Sequence, residues 1–138
     1  MDEDEIFKEL LHTPIKIFRL YHAGNYEREN LVLIAGEACN LNDFVLFQME
    51  YGKDDLPDYG KSHFLTFDDI ELSPGDRVRI YTCHGEDHEE TGGRTGKHYH
   101  VLYWNLDAPI WTGCDNEVKL QQVRGSYSKV FHPSGYAE

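Results

Sequence analysis

Leu72-Ser73-Pro74-Gly75-Asp76-Arg77-Val78-Arg79-Ile80-Tyr81-Thr82 is the segment around which the rest of the chain is arranged. Its opening is a turn: Pro74 presets φ at an early turn position, Gly75 can take positive φ, and Asp76 can bond the nearby backbone. Strict alternation follows, with Val78 and Ile80 on one face and Arg77, Arg79 and Tyr81 on the other. A period of two marks a half-buried antiparallel strand. Downstream, Tyr103-Trp104-Asn105-Leu106-Asp107-Ala108-Pro109-Ile110-Trp111 brackets a proline corner with two tryptophans, the makings of a buried aromatic cluster rather than a ligand platform.

Short apolar runs on either side extend the pattern. Strands are expected over 15–22, 30–34, 44–49, 63–67, 98–104, 117–123 and 128–131. Residues 30–34 are continuously apolar after Asn30, as in a strand covered on both faces. In 117–123, Val118 and Leu120 face inward and Lys119 and Gln121 outward. Residues 51–61 read as a loop. The polar, glycine-rich stretch 83–97 lacks periodicity and is expected to be the most mobile part of the chain. Seven to eight short antiparallel strands with no long helix between them predict an all-β fold, a β-sandwich. Before it, Phe7, Leu10 and Leu11 share one side of a short helix or leader stopped by Thr13-Pro14. The expected organisation is a leader over 1–15, a sandwich domain over 16–131 and a tail over 132–138.

The 138 residues are 40% hydrophobic and 13% aromatic, enough for one domain with a real core and too much for wholesale disorder. No run approaches the roughly 18 apolar residues of a membrane helix, so no membrane partner is expected. The acidic start Met1-Asp2-Glu3-Asp4-Glu5 lacks the basic and apolar regions of a secretory signal. If Met1 is the native start, the expected location is intracellular. Cys39, Cys83 and Cys114 are odd in number and widely spaced, a poor disulfide framework. A net charge of −12 disfavours generic attraction to nucleic acid or anionic membrane.

In order and spacing, a set of these features resembles the lamin-tail domain family. The set comprises the 72–82 segment followed by Gly85, then Tyr103-Trp104, Pro109-Ile110-Trp111, Asp115 and Val118-x-Leu120. Upstream, Glu29-Asn30-Leu31-Val32-Leu33-Ile34 and the 41–46 run fall where that family has its early strands, so the resemblance spans about residues 16–131. It implies an immunoglobulin-like sandwich serving as a non-catalytic interaction module, as in nuclear lamins, where such domains contact proteins and DNA. Cys83, Gly113-Cys114 and Leu33 depart from the family's pattern, and its DNA-binding surface does not carry over residue by residue.

Two constellations carry chemistry. His84, His88, His98 and His100, with Cys83, Asp87 and Cys114 nearby, are residue types that zinc selects, and His98 and His100 share a face if their segment is a strand. Against this stands the absence of any CxxC or HExxH spacing. Arg77, Arg79 and Tyr81 share a strand face, and Lys119 would join them if its strand lies alongside. Outward charge that merely protects a sheet edge is the competing explanation. Three weaker patterns fail. Residues 91–97 lack phosphate-loop spacing, Cys83-His84 point to opposite strand faces, and the aspartates of 54–58 and 68–69 form no calcium loop.

The function expected from all this is a binding or scaffolding module without a cofactor or an enzymatic activity. Its partner is another protein, met by a sheet edge or by the 83–97 loop. The alternatives are a zinc-binding domain built on residues 83–100 and nucleic-acid binding through the Arg77/Arg79 face.

Overall fold

A computed structural model describes residues 13–51, 57–93, 96–112, 115–123, 125 and 127–131, with 57–60 described in their backbone only. The expected N-terminal helix, the tail over 132–138 and Cys114 lie outside the described residues.

Apart from one 3-10 turn at Leu41–Asp43, the regular structure of the described residues is β, in strands β1 (Ile15–Tyr21), β2 (Asn30–Ala35), β3 (Cys39–Asn40), β4 (Phe44–Tyr51), β5 (Pro57–Thr66), β6 (Glu71–Leu72), β7 (Arg77–Tyr81), β8 (His88–Thr91), β9 (His98–Tyr103) and β10 (Asn116–Gln122). They form a five-stranded sheet in the order β1-β2-β7-β9-β8, a three-stranded sheet β10-β4-β5 and a small pair β3-β6. No helix of the described residues is long and apolar enough to cross a membrane.

The turn before β7 forms as its residues dictate. Gly75 sits at φ 91°, where a side chain would be strained. The Asp76 carboxylate accepts the Ser73 N–H at 2.8 Å, and the Asp76 N–H donates back to the Ser73 carbonyl at 3.0 Å. From there Val78 and Ile80 point inward, 0% and 1% exposed, against Leu33 and Leu31 of β2. Phe44 and Leu46 of β4 and Trp111 of the corner belong to the same core, so the two larger sheets share one apolar interior. Trp104 packs against that core, as does the Val118 and Leu120 side of β10.

The structure differs from the sequence expectation in four places. β7 and β9 run parallel, so the five-stranded sheet is mixed rather than antiparallel. Of the expected loop over 51–61, Tyr51 belongs to β4 and residues 57–61 to β5, whose Pro57 pairs with Tyr51. The 83–97 stretch is not one open loop: β8 lies within it, paired antiparallel with β9. Residues 128–131 form no strand. In the first three cases backbone pairing prevails where the side-chain pattern is silent; at 128–131 an apolar pattern finds no strand to pair with among the described residues.

Buried polar residues stitch the layers together. The fully buried Glu29 accepts from the Gly24 N–H at 3.0 Å, the Thr82 hydroxyl at 2.5 Å and the Ile110 N–H at 2.9 Å. Gln48, also fully buried, bonds His63 at 2.9 Å and Asn116 at 2.7 Å.

Candidate functional site

The outer face of the five-stranded sheet follows from register alone. Across it run Arg19–Val32–Arg79–Val101 and Tyr21–Asn30–Tyr81–Tyr103, with Ile34–Arg77–Tyr99 beside them. Phe18 joins these rows because β1 is bulged between Ile17 and Arg19, which turns consecutive side chains toward one region. Val32 and Val101 point outward yet are 1% and 2% exposed, so longer side chains roof them over.

Those roofing side chains alternate cation and ring. The Arg79 guanidinium lies 4.9 Å from the Tyr99 ring and 5.9 Å from Tyr21. Arg77 lies 5.2 Å from Phe18 and 5.8 Å from Tyr99, and donates to the Tyr99 hydroxyl at 3.3 Å. Arg19 lies 5.9 Å from Phe18 and 5.8 Å from Tyr21. Such spacing is within cation–π range. Among the described residues none of these arginines meets a carboxylate at ion-pair distance, and the Nε atoms of Arg77 and Arg79 are buried without a hydrogen-bond partner. Tyr81 stacks on Tyr103 at 5.3 Å beside this group. Burial, and then Tyr81, pushes the Tyr103 hydroxyl above its ordinary range.

Lys119 does not join that face. It sits on β10, opposite Phe47 of β4, in the other large sheet.

The four histidines divide in two. His98 and His100 share the inner side of β9, their rings 4.8 Å apart and perpendicular. Glu89 of β8 stands directly opposite His100, with its Oε1 3.1 Å from His98 Nε2 and 3.3 Å from His100 Nδ1. Behind His100, Asp76 Oδ2 lies 3.7 Å from Nε2, an electrostatic rather than a hydrogen-bonded distance. Beside this group opens a cavity of about 470 Å³, lined by Asp69, Glu71, Asp87 and His88 as well as Glu89 and His100.

His84 and His88 stay apart from that pair. His84 faces Asp107 at 2.6 Å. His88 points its Nδ1 at the Glu86 carbonyl, 2.9 Å away, and its Nε2 at Glu90, 2.8 Å away. Those partners, the Glu86 carbonyl first, raise the His88 pKa above the ordinary histidine value.

Sequence reasoning put His98 with His100, and Arg77 with Arg79 and Tyr81, on common strand faces, as the structure does; it did not bring in Glu89, Arg19, Phe18, Tyr21 or Tyr99. Glu89 lies in a run with no strand signature, and β1 could be placed beside β2 only through backbone pairing. Compared with protein-family models, curated proteins and solved structures, the chain matches none.

Proposed function

We propose that the chain is a non-catalytic docking module that receives an acidic segment of a partner protein on the outer face of its five-stranded sheet. The observation carrying this reading is the trio Arg19, Arg77 and Arg79, interleaved with aromatic rings and without carboxylate partners among the described residues. Elsewhere the chain is strongly acidic, with a net charge of −12, so an unneutralised cationic face within it is a specific feature. Rings beside a guanidinium hold its planar fork in place, and carboxylates meet that fork in a bidentate manner. The bulge in β1 works against strand addition at that edge, which moves the expected contact from edge to face.

We read the two sheets around one core as an immunoglobulin-like sandwich, in keeping with the resemblance to lamin-tail domains. The parallel β7–β9 pair is a departure from the all-antiparallel arrangement. An acidic peptide is favoured over nucleic acid because the cationic footprint is small and a phosphate polymer would meet repulsion from the rest of the chain.

The test is fluorescence anisotropy with a labelled peptide of alternating Glu and Tyr, set against a single-stranded oligonucleotide of equal charge. The peptide is expected to bind saturably and more tightly than the oligonucleotide, weakening as salt rises. Arg77→Glu with Arg79→Glu should weaken it by at least about tenfold at unchanged circular dichroism. Tighter oligonucleotide binding, or peptide affinity indifferent to the double substitution, overturns the reading.

A further inference from the structure

We infer that Glu89, His98 and His100 form a binding site for a divalent transition cation, zinc by its ligand chemistry, that clamps β8 onto β9. One ligand atom from each of the three residues lies within 4.8 Å of the others, and the nitrogens nearest the Glu89 carboxylate are His98 Nε2 and His100 Nδ1. A tetrahedral zinc site with bonds of about 2.1 Å has ligand-to-ligand edges of about 3.4 Å. Two of the three edges here, 3.1 Å and 3.3 Å, already fit. Closing the third needs only a swing of His98, whose side chain is 37% exposed.

The arrangement follows from the strands. A spacing of two puts His98 and His100 on one side of β9, and antiparallel register puts Glu89 across from His100. A second feature stands behind the ligands. His100 offers the cluster its Nδ1, so its Nε2–H points to the other side, where Asp76 presents a carboxylate at 3.7 Å. At that distance the carboxylate acts on the imidazole through its field, favouring the tautomer with hydrogen on Nε2 and leaving Nδ1 to ligate. Asp76 is itself held in place by the Ser73 N–H. Two imidazoles and one carboxylate suit zinc, whereas magnesium and calcium prefer all-oxygen sets. Asp69, Glu71 and Asp87 around the adjoining cavity add a negative field that draws a cation in, and the cavity leaves space for water as the fourth ligand.

The consequence is mechanical. All four residues of β8 are exposed, so little apolar burial holds this edge strand in place. A cation bridging Glu89 to both histidines would supply that attachment.

Isothermal titration with zinc chloride alone should give one cation per chain, and the cobalt-substituted protein should show tetrahedral visible bands. At a hundredfold excess over Kd, zinc should raise Tm by roughly 10 °C. It should also slow amide exchange in β8. Binding should be lost in Glu89→Gln and in His98→Ala/His100→Ala, and Asp76→Asn should weaken it by about tenfold. His84→Ala/His88→Ala should leave it unchanged. Circular dichroism of each variant without metal checks folding, and Glu89→Gln, on an exposed side chain, is the variant least able to disturb it. Absent stoichiometric zinc, or zinc retained in Glu89→Gln but lost in His84→Ala/His88→Ala, overturns the site.

Discussion

Glu29 and Thr82 meet in the interior, the Thr82 hydroxyl donating to the Glu29 carboxylate at 2.5 Å, at the shared end of the antiparallel strands β2 and β7 where Asn30 pairs with Tyr81. With the Gly24 and Ile110 N–H groups also directed at Glu29, one carboxylate fixes the β1–β2 turn, the end of β7 and the tryptophan corner together. Such a group is held by its donors, and removing either side leaves a buried polar atom unsatisfied.

Glu29→Gln should therefore destabilise the fold, because a side-chain amide turns an N–H₂ toward groups that themselves donate. The expected loss is about 2–3 kcal/mol, with Thr82→Val losing about 1–2 kcal/mol. Urea denaturation of both and of the double variant checks this. The double variant should lose less than the sum, since the two share one interaction. Strict additivity would show the pair to be uncoupled.

Gly85 should not tolerate a side chain. A Cβ there would lie 2.3 Å from the Tyr103 ring, and that ring is already held by its stack on Tyr81. Gly85→Ala should cost about 1–3 kcal/mol, in the range of overpacking. It should also change the tyrosine near-ultraviolet circular dichroism as the stack opens. An unaltered Tm and spectrum would refute the close approach.

His88 should titrate above an ordinary histidine, because its imidazolium is favoured by the Glu86 carbonyl first and by Glu90 second. The folded pKa then exceeds the unfolded one. The stabilisation from this residue is complete below the unfolded pKa and fades as pH rises through the folded value. A proton NMR titration of the His88 ring reads this directly. Glu90→Gln should bring the pKa partly down, leaving the backbone contribution; a His88 titrating at or below the ordinary value contradicts the geometry.

Cys39 should be a slow thiol. Burial pushes its pKa up, and Glu37 and Asp43 push it further. Iodoacetamide at pH 8 should label it more slowly in the folded protein than in urea, since only the thiolate reacts. Glu37→Gln should speed labelling modestly. Equal folded and unfolded rates would remove the argument.

The parts of this fold that could be read from the chain are those where side-chain chemistry and backbone geometry coincide. Ser73 to Asp76 and the Val78/Ile80 alternation are local, so turn and strand follow from adjacent residues. β8 could not be read this way: its four side chains are all exposed, and an all-polar strand has no period. The parallel pairing of β7 with β9 is a relation between distant segments, with no local signature. For the candidate sites, the His98/His100 spacing was legible, whereas Glu89 enters only through the β8–β9 register. Lys119 was misplaced toward the arginine face for the same reason: alternation gives the side of a strand but not the sheet it joins.

The position of β9, slotted between two segments that precede it, has a kinetic corollary. β8 and β9 are joined by a short connection and can zip locally, whereas β9 meets β7 only across the whole return path. Closing a small loop is faster than closing a large one. Loop closure therefore favours β8–β9 pairing early, yet the all-exposed β8 gives that hairpin little stability of its own, so it holds only once β9 has docked on β7.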